Sequence, residues 1–480
     1  MSTKRTVVVA GARTIGGLAG IAVAVGLVAA AAFVPWPSVE VGPVADRVVP
    51  VPTDAQRVCP GPLLTLAEDS GQATAASSIG SASIVSAAGP GEDDPDETPL
   101  GAPDDANAAE NGGASVLTVP ASPDATTPPL IAGSQTQVAA DETHSGLAVA
   151  ACTEAVPDAW LIGGSTDIGR TTLVLLSNPS SVLATVDLTV YGETGPITAP
   201  GATGILVQPG TQRIVSLAGL APDVLSPVVH VTSQGGEVAA ALQQSIVRGL
   251  DPGGVDIVGP TSAPSTNTTI PGVIVGAAIS TVATDSEAGY SDEQPGLRLV
   301  APGDTAAQAT VSVVGENGAP GTSFSVDLEP GIVVEAPLSD LAAGVYSITV
   351  ESDEPVVAAA RTAVAGADGR DIAWFAASTP LAADATLVAA AGGAVPTLHA
   401  WNPGGRDLSI TLTPGDGEPI TLDLPAATAL PLALRPGVGY EITGADGVIA
   451  SVGYATDSRL ASFTLTPIAG LAAPITVYTR

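Results

Sequence analysis

The sequence has little positive charge and few aromatic rings. Its 480 residues contain 15 lysines and arginines against 48 acidic residues, and aromatic residues make up 3%. Lys4 is the one lysine, which excludes Ser–Lys dyads and Schiff-base chemistry from the rest of the chain. All the acidic residues follow residue 34, and a surface of this charge repels phosphate backbones. The charge balance therefore excludes nucleic-acid binding.

Groupings typical of catalytic sites are also missing. The three histidines, His144, His230 and His399, are far apart and have no metal-ligand spacing around them. No G-x-S-x-G motif is present. Trp401, two residues after His399, is expected in a core rather than in a ligand site. We therefore predict a non-enzymatic protein without catalytic, cofactor-binding or metal-binding residues.

Long stretches with helical character are scarce after residue 34. The 55 glycines and 42 prolines interrupt runs of Val, Thr and Ala before they reach helical length. Short runs rich in β-branched residues between Gly and Pro turns are typical of strands. The predicted fold class is all-β.

One long apolar run stands at the amino terminus. Residues 15–34 carry no charge and are long enough to span a bilayer of roughly 30 Å as a helix. Basic residues within 1–14 predict a cytoplasmic tail, which places everything after Pro35 outside the membrane. A signal peptide cleaved near residues 29–32 is the alternative, and it gives a secreted protein.

Three later segments share one pattern of strand, Pro turn, alternating strand and Gly/acidic turn. They read TLVLLSNPSSVLATVDLTVYGETGPI from Thr172, LRLVAPGDTAAQATVSVVGENGAP from Leu297 and TLHAWNPGGRDLSITLTPGDGEPI from Thr397. Self-similarity of this kind indicates tandem modules. A partial fourth copy before them pairs Trp160 with Trp374 as equivalent strand residues.

Seven or eight strands in about 100 residues are typical of an immunoglobulin-like β-sandwich. We therefore predict tandem sandwiches behind one transmembrane helix. The predicted β-modules are residues 47–157, 158–258, 272–372 and 373–480.

Two segments look unlike the modules. Residues 87–113 hold eight acidic and no basic side chains, so we expect a disordered insertion in the first module. Residues 259–271 are rich in Ser, Thr and Pro, which favours a flexible linker between the second and third modules.

The stretch GGSTDIGRTT, residues 163–172, resembles the phosphate-binding pattern G-x-x-x-x-G-K-[ST]. Arg170 replaces the lysine, and strand-like TTLVLLSNP follows where a helix is required. The corresponding place in the last segment reads GGAVPT. We therefore predict an inter-strand turn without nucleotide binding.

Only two cysteines are present, Cys59 and Cys152. An even number in an oxidising compartment favours a disulfide, and two separately buried thiols are the alternative.

The short basic amino end, the apolar span, CPGP at 59–62 and Ala/Val/Gly-rich repeats with NP and PG turns resemble an uncharacterised actinobacterial family of membrane-anchored envelope proteins. This resemblance implies a role in the cell envelope, near envelope glycosyltransferases. It implies no catalytic residues.

The expected function is that of a scaffold, spacer or interaction module outside the membrane. A protein that binds cell-wall glycan and assists an envelope glycosyltransferase is the alternative. The expected partners are the membrane, through residues 15–34, and envelope proteins or cell-wall polysaccharide.

Overall fold

The structure is a computed structural model. It describes residues 22–26, 45–48, 51–66, 76–123, 125–277, 292–316, 319–338, 341–381, 384–467 and 475–478. The chain forms two compact units, Met1–Pro50 with Ala472–Arg480, and Val51–Leu471.

In the unit that contains both chain ends, two short strands pair. Strand β1, Ala45–Val48, lies antiparallel to β34, Ile475–Tyr478, with Ala45 opposite Tyr478. Residues 22–26 are helical and exposed, and the rest of the predicted span 15–34 lies outside the described residues. Within the described part of the chain, no helix has the length and apolar character needed to cross a bilayer.

The second unit consists of strands with very little helix, so the all-β prediction is confirmed. Its strands fall into four consecutive sets, which we call strand groups 1 to 4. Group 1 comprises β2 (Ala55–Cys59), β3 (Leu64–Leu66), β4 (Ala76–Ser78), β5 (Ser83–Ala88), β6 (Asp96–Pro99), a helical turn (Ala108–Asn111), β7 (Ser115–Val119), β8 (Ile131–Ala140) and β9 (Ser145–Ala151).

Group 2 comprises β10 (Asp158–Ile162), β11 (Arg170–Asn178), β12 (Ala184–Gly192), β13 (Gly195–Ile197), β14 (Ile205–Val207), β15 (Thr211–Ser216), a 3-10 turn (Leu217–Gly219), β16 (Val228–Gly235), β17 (Ala239–Arg248) and β18 (Asp251–Val258). Group 3 comprises β19 (Ser265–Val275), β20 (Gly296–Val300), β21 (Ala307–Gly315), β22 (Thr322–Leu328), β23 (Val334–Pro337), β24 (Gly344–Gly366) and β25 (Gly369–Ala376). Group 4 comprises β26 (Ala385–Val388), β27 (Thr397–Asn402), β28 (Leu408–Pro414), β29 (Ile420–Leu424), β30 (Thr428–Ala433), β31 (Gly439–Thr443), β32 (Ile449–Ala455) and β33 (Leu460–Thr464).

The same strand order recurs in the groups. Group 4 has sheets β26-β31-β28-β29 and β30-β27-β32-β33, and group 2 has β10-β16-β12-β13 and β15-β11-β17-β18. In group 3 the long strand β24 runs through both sheets, β19-β24-β21-β22 and β23-β20-β24-β25. Group 1 has the shorter versions β2-β7-β6 and β5-β8-β9, with the hairpin β3-β4 in addition. Each group therefore ends in a hairpin whose second strand lies at a sheet edge.

Side chains alternate between core and surface as the sequence pattern predicts. In β12, Ala184, Val186, Leu188 and Val190 are buried, while the residues between them are more exposed. This period of two is expected for a strand with one face on a core. Groups 2, 3 and 4 each enclose a large apolar cluster, whereas the clusters in group 1 are smaller.

The acidic segment 87–113 is ordered, contrary to the prediction. Its strand β6 pairs with β7, with Thr98 opposite Val116, and all four β6 side chains are exposed. The acidic side chains of β6 therefore stay in water while their backbone joins a sheet. Asp105 in the same segment is buried, and its Oδ1 accepts the Ser78 N–H at 2.8 Å.

The predicted linker 259–271 is also wrong in its second half. Residues 265–271 belong to β19, which pairs with β24 and buries Ile270. Pro271 lies at a shift of register, where a strand tolerates a missing N–H. The predicted boundary at 271/272 cuts through β19, and the one at 372/373 cuts through β25.

Trp160 and Trp374 are not equivalent. Trp160 lies in β10, the first strand of group 2, and pairs with His230 of β16. Trp374 lies in β25, the last strand of group 3, and pairs with Arg361 of β24. The Ala-Trp pair common to both segments is a coincidence of sequence.

Candidate functional site

The last strands of the four groups meet inside the unit Val51–Leu471. We call β9, β18, β25 and β33 the closing strands and their meeting point the central junction. β9 contacts β18, β18 contacts β25, β25 contacts β33, and β33 contacts β9. The groups are therefore joined in a closed cycle, with group 4 packed against group 1.

One carboxyl group lies at the centre of this junction. Asp371 of β25 is fully buried. Its Oδ2 accepts the backbone N–H of Leu147 in β9 at 2.8 Å and of Leu460 in β33 at 2.9 Å. Its Oδ1 accepts the N–H of Val255 in β18 at 3.2 Å and of Ile372 in β25 at 3.0 Å. A single side chain thus binds a closing strand from every group.

Glycines next to two of these donors make room for the carboxyl group. Gly146 precedes Leu147 at φ 142°, and a β-carbon there would overlap Oδ1 of Asp371. Gly254 precedes Val255 at φ 127°, and a β-carbon there would lie 2.7 Å from the Ile372 nitrogen. The junction therefore has space for one side chain, which β25 supplies.

Two influences act on the protonation of Asp371. Burial raises the pKa of this carboxyl group well above its ordinary value, while the four N–H donors favour the charged form. The donors occupy all the acceptor positions of an ionised carboxylate, and a proton on either oxygen would face an N–H group. The hydrogen-bond geometry is thus that of a carboxylate in a nest of donors.

A second buried carboxyl group, Asp256 of β18, lies close to the junction. Its Oδ2 accepts the Trp374 backbone N–H at 2.7 Å, while its Oδ1 has no hydrogen-bond partner among the described residues. Burial raises the pKa of Asp256 to about 8, against two backbone hydrogen bonds that lower it. Gln244 accepts the indole N–H of the same tryptophan at 2.7 Å.

A network of charged side chains joins groups 2 and 3. Arg298 is fully buried and donates from Nε at 3.1 Å and from Nη2 at 2.9 Å to Oε2 of Glu335. Arg361 donates to Oε1 of the same carboxylate at 2.7 Å. Burial raises the pKa of Glu335, but the two guanidinium charges outweigh burial and hold the pKa below its ordinary value. The Arg298 guanidinium also lies 4.4 Å from the ring centre of Trp374.

The loop that resembles a phosphate-binding motif belongs to this network. Arg170 donates from Nε at 3.0 Å and from Nη2 at 2.9 Å to Asp292, and Arg248 donates to the same carboxylate at 2.8 Å. The Gly164 carbonyl accepts from Nη1 of Arg298 at 3.0 Å. Strand β11 begins at Arg170, so the prediction of a turn ahead of a strand is confirmed. The arginine is bound to an internal carboxylate.

The structure joins Cys59 and Cys152 in a disulfide, with an S–S distance of 1.99 Å. Cys59 ends β2, and Cys152 follows β9. The bond therefore links the first and last strands of group 1.

Directly after Cys59, buried glutamine side chains from two groups hold the backbone of residues 60–64. Gln135 binds both N–H and C=O of Gly61, at 3.0 and 2.6 Å. Gln243 of group 2 binds N–H and C=O of Leu64, at 2.8 and 2.7 Å. Gly61 has φ 88°, and a β-carbon there would lie 2.7 Å from the Ala114 nitrogen, which excludes other residues.

Each histidine contacts a carboxylate, and no two of them meet. His144 lies 3.2 Å from Asp141, His230 lies 2.8 Å from Asp158, and His399 lies 3.0 Å from Glu316. Trp401 is buried against Ala429 and Ile449, in a core as predicted. Within the described ranges, no group of three or more His, Cys, Asp or Glu side chains is placed to hold a metal ion.

Three clefts between groups, lined by described residues, are small. One cleft between groups 1 and 4, lined among others by Arg57, Cys152, Leu387 and Phe463, has a volume of about 50 Å³. A cavity of this size holds a water molecule or two, whereas ligand sites usually measure about 300–1,000 Å³. The central junction is therefore the better candidate for a site on which function depends.

Sequence reasoning did not identify the residues of the junction. Asp371 is one of 48 acidic residues, and its neighbours in GRDIAW have no motif. Two weak signals were present in the sequence. Asp371 is a charged residue inside a strand of mostly small and apolar residues, and the position equivalent to it in GLAVAA and GGVDIV is a glycine.

Comparisons with known proteins assign the chain to a family but give it no activity. No curated protein matches the chain. One similar solved structure is described as "Crystal Structure of Thermotoga maritima 1070" (18% identity, TM-score 0.20), covering 24% of this chain and 95% of that chain. Another is described as "Biofilm associated protein - BSP domain" (8% identity, TM-score 0.12), covering 87% and 96%. Likenesses this distant carry no argument about fold or function. The profile of a family described as "Family of unknown function (DUF5719)" matches residues 106–433, more than half of the chain, and the chain therefore belongs to this family.

Proposed function

We propose that this protein is a non-enzymatic scaffold made of tandem immunoglobulin-like β-sandwich repeats, one for each strand group. The recurring order of two antiparallel sheets per group supports the sandwich assignment. Group 1 is a reduced repeat that lacks the outer strands present in groups 2 to 4.

The observation that carries the scaffold function is the binding of Asp371 to all four closing strands. A flexible spacer needs no buried contact that joins its first and last repeats. A scaffold does, because it must hold several surfaces in a fixed arrangement. The central junction provides this fixed arrangement.

The scaffold lies outside the cytoplasmic membrane and is anchored by residues 15–34. The uncharged run and the disulfide between Cys59 and Cys152 support this location. Protease added to intact cells should digest the bulk of the chain and leave a membrane-bound amino-terminal fragment. Recovery of a shortened chain in the medium would instead show that the span is a cleaved signal peptide.

Photo-crosslinking in intact cells tests the scaffold function. A photoreactive residue replaces Leu250, which is 91% exposed, or Ile420, which is 37% exposed, and the fully buried Leu242 serves as the control position. At an exposed position we expect crosslinks to the same partner proteins in every repeat of the experiment. At the control position we expect no such crosslinks. Absence of protein adducts, together with retention of the chain on purified cell-wall polysaccharide, would favour the glycan-binding alternative.

A further inference from the structure

The four N–H groups at the central junction form a site that is complementary to a carboxylate. They come from four different strands and bind two oxygens, two donors to each. The residues whose backbones carry them, Leu147, Val255, Ile372 and Leu460, are apolar and fully buried. Hydrogen bonds to a charged acceptor are stronger in such surroundings than in water.

The four N–H donors belong to the backbones of the closing strands. Asp371, which occupies the site, contributes none of them. Only the Ile372 donor is adjacent in sequence to Asp371, and the other three belong to groups 1, 2 and 4. Gly146 and Gly254 show that the same place beside two other donors carries no side chain. The side chain of Asp371 can therefore be removed while the N–H groups that bind it remain.

We propose that the central junction is a carboxylate-binding site that the chain fills with its own Asp371, and that occupancy of this site keeps group 4 joined to group 1. Any small carboxylate of similar shape can occupy it when the aspartate is absent. This inference goes beyond the scaffold function, because it concerns how the cycle of groups closes and not what the closed cycle binds.

Chemical rescue tests the proposal. Asp371→Gly in the full chain removes the carboxyl group and leaves the residue type found at Gly146 and Gly254. Without an acceptor, four buried N–H groups are unpaired, so the thermal midpoint should fall. Added formate should raise the midpoint of the variant with the logarithm of its concentration, as for any ligand of the native state, and should leave the wild type unchanged.

Two controls separate a specific site from general effects of salt. Sodium chloride at the same ionic strength should give no comparable rise. Asp187→Gly removes a surface carboxyl group that accepts one N–H, from Gly204 at 2.7 Å, and it should not respond to formate. An Asp371→Gly variant that is as stable as the wild type, or one that formate and chloride affect equally, would overturn the proposal.

Hydrogen exchange in the wild type provides a test that needs no variant. If one carboxylate holds all four strands, the amides of Leu147, Val255, Ile372 and Leu460 become accessible in the same opening event. We expect them to exchange at rates within about tenfold of one another, slower than most amides of the chain. Exchange of the Leu460 amide hundreds of times faster than that of Val255 would show that group 4 detaches on its own, against the proposal.

Discussion

Asp256 shows how burial alone changes the chemistry of a side chain. One of its oxygens accepts the Trp374 N–H, and the other has no partner among the described residues. The cost of burying a charge there is not offset by a counter-ion, so the pKa rises to about 8. Near neutral pH this carboxyl group is therefore largely protonated in the folded protein.

This pKa predicts a specific dependence of stability on pH. The unfolded chain releases the proton near the ordinary pKa of an aspartate, 3.8, while the folded chain holds it up to about pH 8. Unfolding therefore releases a proton within this window, and the free energy of unfolding falls as pH rises, by up to about 1.4 kcal/mol for each pH unit. Asp256→Asn removes this contribution.

Urea unfolding of the wild type and Asp256→Asn at pH 4.5, 6 and 7.5 measures the effect. The stability of the variant relative to the wild type should increase steadily with pH. Asp371 and the surface acids contribute equally to both proteins, so they cancel in the difference. Parallel pH profiles would contradict the assignment.

Arg298 gives a second prediction about a single side chain. Arg298→Met leaves the Gly164 and Pro227 carbonyls without this donor and removes one of the two cations on Glu335. Breaking a buried ion pair on one side costs about 3–5 kcal/mol. Arg213→Met, which breaks a pair with Asp104 at the surface, should cost at most about 1 kcal/mol. If both variants lose the same free energy of unfolding in urea, burial of the network does not make it more important for stability than a surface ion pair.

The Asn-Pro turns after strands β11 and β27 have the same internal construction. Asn402 is fully buried; its Nδ2 donates to the carbonyls of Arg406 and Leu424, and its Oδ1 accepts the Gly404 N–H. Asn178 binds its own turn in the same way, with Nδ2 bonded to the carbonyls of Val182 and Val207. The side-chain amide acts as an additional peptide group that closes the turn.

We therefore predict that Asn402→Asp destabilises the protein more than Asn402→Ala. Loss of the buried hydrogen bonds in the alanine variant costs about 1–3 kcal/mol. A carboxylate adds repulsion, because it faces two carbonyl oxygens where the amide donates to both. The exposed Asn267→Asp is the matched control and should have little effect. Equal thermal midpoints for the Asp and Ala variants would contradict this role.

Strands could be predicted from the sequence to the extent that local pattern determines them. The period of two in TVDLTV and the Asn-Pro turns identified β11, β12, β27 and β28 because these features depend on near neighbours. Segment 259–271 resembled a linker, since nothing in its composition reveals that β24 pairs with it. Segment 87–113 looked disordered because its acidic side chains can remain exposed while its backbone pairs.

The site was beyond sequence reasoning for a related physical reason. Asp371 acquires its role from N–H groups more than 80 residues away in three other strands, and backbone donors have no signature in the sequence. The glutamines around residues 60–64 are equally inconspicuous. In contrast, the disulfide partners were apparent, because the chain has only two cysteines.

The closed cycle of strand groups has a consequence for unfolding. Leu147 and Val149 of group 1 lie in the same apolar cluster as Leu398, Val452 and Tyr454 of group 4. Similar buried contacts join groups 1 with 2 and 2 with 3, so none of these groups can unfold without exposing the core of a neighbour.

We therefore expect residues 51–471 to unfold in one cooperative transition, unlike a string of independent repeats. Calorimetry of the full chain tests this, because calorimetric and van't Hoff enthalpies coincide only for an all-or-none process. Separate transitions, each with the enthalpy of a domain of about 100 residues, would contradict a closed cycle.

The disulfide between β2 and the end of β9 also determines how the chain carries mechanical load. Tension applied at the amino-terminal side reaches Cys59, crosses the disulfide to Cys152 and continues into β10. The residues between the two cysteines, which are 93 positions apart in the sequence, are therefore bypassed. Strands β3 to β9, and with them the contribution of group 1 to the central junction, are shielded from the pull while the bond is intact. Under reducing conditions the same pull passes through β3 to β9, and force spectroscopy should then show an additional extension of about 300 Å, the contour length of the released loop.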